Sequence, residues 1–257
     1  MKKGVIISSI KEAKEIKDLT DAFLVPLKDL SINYASAFTI DEIKEVQKLN
    51  KEVFVIINKN IENKELDKLE KVLKEIDKLN LQGIIFYDIA IVELKKELNL
   101  KTDLVWNQEH LSTNYSSVNY WYEKGAKYAY LSSEITKNEI EEIRKNTKAK
   151  LMINVYGYIP MFTSKRHLVD NYIDTFNIKE KGSTIYKEEK HYNIKDEKNG
   201  TTVYTDYILN IKEYIDVDYY IYNSNMIDEK EFKKVLINNE EPEETGFLYK
   251  ETIYKVK

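Results

Sequence analysis

Gly83-Ile84-Ile85-Phe86-Tyr87-Asp88-Ile89-Ala90-Ile91-Val92-Glu93-Leu94-Lys95-Lys96-Glu97-Leu98-Asn99-Leu100-Lys101-Thr102-Asp103-Leu104-Val105-Trp106-Asn107 contains one complete folding unit. Gly83 breaks the pattern before it, and Ile84 to Tyr87 is a short, unbroken apolar run. Such runs suit a strand covered on both faces, where an alternating pattern would mark a half-exposed one. Ile91 to Leu98 has helical spacing, and Leu104-Val105-Trp106 is a second buried run. Strand, helix and strand in close succession imply parallel strands joined by a right-handed crossover.

The same rhythm extends in both directions. Upstream lie Val5 to Ile7, Ala22 to Val25 and Val53 to Ile57, with helical patterns from Ile10, Ile40 and Leu66 between or after them. Ser8-Ser9 can cap the first helix, and Thr39 with Glu42 three residues on forms a capping box for the second. Pro26 stops the second strand, since it cannot donate to a ladder. Downstream come Tyr128 to Leu131, Leu151 to Tyr156 and Tyr219 to Tyr222, with helices around Val118, Ile140 and Phe232. Gly83 and Gly125 fit the helix-end position where φ is positive. Eight such strands predict an α/β fold, a (β/α)8 barrel, trimmed or irregular in places. An open doubly wound sheet would carry a glycine-rich phosphate loop after its first strand, and Ser8-Ser9-Ile10-Lys11 has no glycine there. One segment breaks the rhythm. Asn199-Gly200 between Ile194 and Val203 is a strong hairpin signal. We therefore expect one barrel domain over 1–257, with 173–205 a loop and β-hairpin insertion after strand 7.

Composition narrows the chemistry. The chain has 257 residues, 40 Lys+Arg and 44 Asp+Glu, a net charge of −4. There is no cysteine, which excludes disulfides, a thiolate nucleophile and an iron–sulfur cluster held by cysteine. Three dispersed histidines, His110, His167 and His191, predict no metal site. No apolar run reaches the length of a membrane span, and the start is too short in apolar residues for a signal peptide, so the expected location is cytoplasmic.

In a barrel, chemistry sits at the carboxyl ends of the strands. Asn58, Asp88, Asn107, Glu109, Ser132, Glu134, Tyr156 and Asn223 fall there. Asp88 and Glu134 are the candidate acid/base groups, and Asp88 is equally placed to cap the helix after it. Trp106-Asn107-Gln108-Glu109-His110 is a dense polar and aromatic stretch suited to a planar or hydroxylated ligand. Ser164 has neither a nucleophile elbow nor an evident base. Lys165-Arg166-His167 is a basic cluster whose Arg fork suits a phosphate or carboxylate.

Tyr156-Gly157-Tyr158-Ile159-Pro160-Met161-Phe162-Thr163-Ser164-Lys165-Arg166-His167-Leu168, followed by Asn171-Tyr172, resembles the signature region of the collagenase-like peptidase family, family U thirty-two. Leu104 to Asn107, Thr113-Asn114, Asn119-Tyr120-Trp121, Gly125-Ala126, Leu131 and Glu134 resemble its middle block. Glu244-Thr245-Gly246-Phe247-Leu248-Tyr249-Lys250-Glu251-Thr252-Ile253-Tyr254 resembles the C-terminus of its short Gram-positive members. Those members resemble proteins of prephenate-dependent hydroxylation of the tRNA wobble uridine. The family's usual Glu before the loop is Met152 here, its usual His is Tyr156, and Pro160 and His167 stand at two of its cysteine positions. What the resemblance leaves is Asn107, Glu134, Ser164, Lys165, Arg166 and Asn171, a set able to bind prephenate, a similar carboxylate or an RNA phosphate. With Glu109 added, these are the expected ligand-binding residues, Arg166 and Lys165 sharing one pocket with Asn107 and Glu134. The resemblance implies a role in wobble-uridine hydroxylation, with tRNA and a longer paralogue as partners and this chain as a non-catalytic subunit. The alternatives are a true peptidase and a catalytically dead binding or scaffold protein.

Overall fold

The computed structural model describes residues 1–34, 36–178, 184–198 and 200–250. Strands β1 (Lys2–Ile6), β2 (Ala22–Pro26), β3 (Glu52–Ile57), β4 (Gly83–Phe86), β5 (Leu104–Trp106), β6 (Tyr128–Tyr130) and β7 (Lys150–Gly157) pair in parallel, each with the next. The chain then leaves the barrel. Strands β8 (Pro160–Ser164), β9 (Thr184–Lys187), β10 (Lys190–Glu197) and β11 (Gly200–Tyr204) form a separate antiparallel sheet, ordered β8-β11-β10-β9. It returns as β12 (Leu209–Asn210), antiparallel to the end of β7. Finally β13 (Tyr219–Asn223) enters between β7 and β1 and closes an eight-stranded parallel barrel. The expected barrel is therefore present.

Helices α1 (Ile10–Ile16), α2 (Ile40–Gln47), α3 (Leu66–Asp77), α4 (Ala90–Glu97), α5 (Tyr115–Glu123) and α6 (Lys137–Asn146) fill the crossovers. Helix α7 (Leu168–Phe176) belongs to the separate sheet, and α8 (Glu229–Ile237) follows β13. Thr39 with Glu42 and Thr136 with Glu139 form complete capping boxes, so backbone donors at those helix starts are satisfied locally. With only 7 glycines available, asparagine takes the left-handed turn after four helices: Asn50, Asn80, Asn99 and Asn177 have φ of 57°, 52°, 54° and 51°. Gly125 does adopt a positive φ, as expected. Gly83 does not. It opens β4, where a Cβ would stand 3.1 Å from the Phe54 ring, so its smallness serves packing and not a turn.

Each barrel strand buries both faces. On β3, Phe54 and Ile56 point into the barrel with Leu24, Ile85, Val105 and Ile221. Val53, Val55 and Ile57 point outward into the layer shared with the helices. This two-sided burial is why the strands read as unbroken apolar runs. The amino end of the barrel is stoppered by Phe54, Tyr128 and Tyr219, whose rings meet edge to face at 5.5 and 5.6 Å from Phe54.

One irregularity shapes the opposite end. Ile221 pairs with Asn154, but Tyr222 pairs with Tyr156, so Val155 is an extra residue in β7. Such a bulge sends neighbouring side chains to the same face. Val155 and Tyr156 both pack in the outer layer, while Asn154 faces the barrel mouth.

The excursion is larger than a hairpin. The β10–β11 hairpin forms, with Glu197 opposite Gly200, and Asn199 itself lies outside the described residues. The sheet also takes in Pro160–Ser164, ahead of the expected start at 173. It is tied to the loop after β2: Thr163 and Thr202 donate to Asn33 Oδ1 at 3.2 and 2.5 Å. The sheet thereby stands beside the barrel mouth.

Candidate functional site

The carboxyl ends of the barrel strands surround two adjoining cavities. The inner one, about 70 Å³, is lined by Ile6, Tyr34, Asn107, Tyr130, Asn154 and Asn223, with Ser132, Ser133 and Glu134 at its rim. The outer one, about 460 Å³, lies toward the separate sheet and is lined by Asn58, Lys59, Asn60, Tyr87, Phe162 and Lys165. Glu109 and His110 line both cavities, which adjoin there.

Glu109 begins a single 3-10 turn directly after β5 and holds φ at +46°, an uncommon conformation for a residue with a Cβ. Burial pushes its carboxyl above the ordinary carboxylate range; His110 opposes the shift and Glu134 adds to it. His110 Nδ1 lies 3.1 Å from Glu134 Oε2, so the two rim groups are paired. Below them, the Tyr130 hydroxyl donates to Asn154 Oδ1, and Asn154 Nδ2 donates to Ser133 Oγ at 2.9 Å. Asn107 Nδ2 donates to the Tyr130 carbonyl at 3.2 Å. Burial raises the phenols of Tyr34 and Tyr130, which keeps both as neutral hydroxyls at physiological pH.

The expected residues divide sharply. Asn107, Glu109 and Glu134 meet at the mouth, and Lys165 reaches the outer cavity. Arg166 is exposed and lines neither cavity. Its backbone carries its described hydrogen bonds, N–H to Ser164 Oγ at 3.2 Å and carbonyl from Thr201 Oγ1 at 2.8 Å. Ser164, half-buried on β8, is thus used to fix the turn, and exposed Asn171 lies on α7 away from both cavities. The expected single pocket of Asn107, Glu134, Lys165 and Arg166 is corrected accordingly: the sheet swings the last residues of the loop away from the mouth. Asp88 lines neither cavity. Its two oxygens accept from Ile61 N–H at 2.8 Å and Ala90 N–H at 2.9 Å, which ties two loops together and occupies the carboxylate.

Two positions where the chain departs from the family it resembles also find their places. Met152 is fully buried inside the barrel. Tyr156 packs outward, its ring 6.0 Å from that of Phe232. His167, Asp170 and Asp196 approach within 4.8 Å of one another, but Asp196 is spent on α7: Oδ2 accepts from Asp170 N–H at 3.0 Å, and Oδ1 accepts from the Thr201 hydroxyl.

Tyr34, Tyr130 and Asn154 were not anticipated at the site. Asn154 had a legible signal. On β7 it follows Met152 at the period of two, so a polar residue lies on the barrel-facing side just where the strand ends. Tyr34 had none, because it is brought in by the long loop after β2.

Known proteins resemble the chain in sequence and, separately, in fold. A tRNA hydroxylation protein P2 of Bacillus subtilis is 30% identical over 196 residues, which is 71% of this chain and 63% of that protein. A tRNA hydroxylation protein P1 from the same organism is 26% identical over 143 residues, 54% of this chain and 34% of that protein. An uncharacterized protease, MJ0090, of Methanocaldococcus jannaschii is 29% identical over 145 residues, 54% of this chain and 35% of that protein. The chain thus spans under two thirds of P2 and about a third of the other two. Among solved structures, the U32 peptidase Mk0906 superposes with a TM-score of 0.58 at 12% identity, covering 87% of this chain and 92% of that one. That likeness concerns the fold. Among the described residues no helix is long and apolar enough to cross a membrane. The sequence profile of peptidase family U32 matches residues 12–228, a span that holds the mouth from Tyr34 to Asn223, and the chain belongs to that family.

Proposed function

We propose that the chain acts in hydroxylation of the tRNA wobble uridine, in the cytoplasm, with tRNA and a longer family paralogue as partners. The observation that carries this reading is the 30% identity to the Bacillus subtilis tRNA hydroxylation protein P2. The geometry supports it over proteolysis. A serine peptidase needs its nucleophile hydrogen-bonded to a base. At the mouth, the oxygens of Ser132 and Ser133 accept from Glu134 N–H and the Asn154 amide, and His110 pairs with Glu134.

Among the described residues, a carboxylate ligand such as prephenate, or an RNA phosphate, finds lining lysines only on the outer side of the mouth. Lys59 is paired with Glu65 at 2.5 Å and Lys198 with Asp29 at 2.9 Å. Among the described residues, Lys165 is the lining cation least committed to a partner, with Glu62 as its electrostatic neighbour. A non-catalytic subunit that positions the RNA fits this layout.

The test is mass spectrometry of tRNA nucleosides from a deletion strain. Hydroxylated wobble uridine should fall and return on complementation with the wild-type chain. Unchanged modification in the deletion strain would reject the reading.

A further inference from the structure

The two cavities differ in charge as well as in size. Two carboxylates, Glu109 and Glu134, border the inner one beside the His110 imidazole, and among the described residues neither Lys nor Arg lines it. An anion placed there would face like charge in a partly desolvated site, which is unfavourable. The outer cavity has Lys59, Lys165 and Lys198 on its lining.

The inner cavity instead offers neutral hydrogen-bonding groups. Asn154 Nδ2 has used one of its two protons, on Ser133. Asn107 Oδ1 has no hydrogen bond among the described residues, while its Nδ2 is held by the Tyr130 carbonyl. Ile6, Tyr34 and Tyr130 supply an apolar and aromatic floor. At about 70 Å³ the space holds roughly five waters, the scale of a single six-membered ring.

We propose that the mouth is a nucleotide site in two compartments, the inner cavity taking an uncharged single-ring base and the outer cavity taking the phosphate attached to it. The assignment rests on the RNA-directed reading above. Glu109 and His110, which border both compartments, set the point where one ligand would pass from one to the other. Side-chain amides pair with the imide edge of a pyrimidine, and the Tyr rings accept any base face. Lys165 meets the phosphate as a point charge at the rim.

Titration calorimetry of the full chain tests this, with uridine 5′-monophosphate, uridine, adenosine 5′-monophosphate, ribose 5-phosphate and prephenate as separate probes. Uridine 5′-monophosphate should bind tightest. Uridine should bind about tenfold more weakly, and the other three at least a hundredfold more weakly. Lys165→Ala should cost about tenfold with uridine 5′-monophosphate and leave uridine unchanged. Asn107→Leu should weaken both, and Asn107→Asp, which keeps the shape and adds charge, gives a second reading if the first variant fails to fold. Binding of ribose 5-phosphate or prephenate as tight as that of the nucleotide overturns the proposal. So does equal loss of uridine in Lys165→Ala, or absence of nucleotide binding by protein with the wild-type melting curve. Nucleotide binding together with unchanged tRNA in the deletion strain would keep this assignment and reject the hydroxylation reading; the converse pair of results would do the opposite.

Discussion

Glu109 combines two costs that a purely structural residue would shed. Its left-handed backbone costs on the order of 1 kcal/mol for a residue with a Cβ, and its carboxyl is partly withdrawn from water. Because burial raises its pKa in the folded chain, the native state holds its proton more tightly than the unfolded one. Stability from this group is therefore greatest below the ordinary value of about 4.3 and declines as pH rises through the raised one. Glu109→Gln should raise Tm at pH 7, and the gain should vanish on melting at pH 4. An equal gain at both pH values would disprove the titration argument. Gly157 makes the opposite case, a position that sterics decide. Its φ is +121°, and a Cβ would lie 2.5 Å from the Asn223 carbonyl oxygen. Gly157→Ala should destabilise by about 2 kcal/mol or more, read from urea denaturation at unchanged m value. Asn107, Glu109 and Glu134 were legible because the end of a barrel strand is fixed by its apolar run. Asp88 obeyed the same rule and still lies outside both cavities, held by two loop amides, since sequence does not reveal which loop amide a carboxylate will meet. Arg166 was misplaced because its direction depends on the sheet that follows it.

Among the elements, helix boundaries were the most readable features. Thr39 and Glu42 satisfy the start of α2 within four residues, a purely local device. Thr39→Ala should cost about 1 kcal/mol in a denaturation curve. Asp77, the last residue of α3, could not be read this way, because its partners lie on the approach to β5. Its Oδ1 accepts from Lys101 N–H, Thr102 N–H and Thr102 Oγ1 at 2.7, 2.8 and 2.9 Å. Burial alone would raise this carboxyl, but the hydrogen bonds from Thr102 and Lys101 outweigh it and hold the pKa below its ordinary value. The stabilisation is accordingly present above about pH 3.9 and lost as pH falls through the lowered value. Asp77→Ala should cost about 2–3 kcal/mol at pH 7 and less as the pH approaches 2. A pH-independent cost would mean that packing, and not the charge, is what is lost. The helix α7 escaped the reading altogether. None of its residues is buried, so its apolar side chains follow the small sheet and not the barrel rhythm.

At the scale of the molecule, closure by β13 and the aromatic stopper make the barrel one cooperative unit. Phe54, fully buried between Tyr128 and Tyr219, is its most central ring at the amino end. Phe54→Ala should cost about 3–5 kcal/mol and broaden no transition, since the loss is shared by all strands. A second, separate melting step would show that the stopper is its own unit. The barrel was visible in the sequence because a parallel, two-faced strand is apolar throughout, whereas the four-stranded sheet was seen only as its tightest hairpin. Three of its strands, β8, β9 and β10, are partly or wholly exposed, and its pairings join residues far apart in the chain, β8 with β11 above all. The pairing of Leu209 with Gly157 has a wider meaning. Departure and return occupy neighbouring rungs of one ladder, roughly 5 Å apart. Everything between them is a side branch spliced onto a finished ring. It can be lengthened, shortened or exchanged for another without moving a single barrel strand out of register, while the wall it contributes to the mouth changes with every exchange. Such a scaffold lets evolution, or an engineer, retune what enters the ring by grafting one branch.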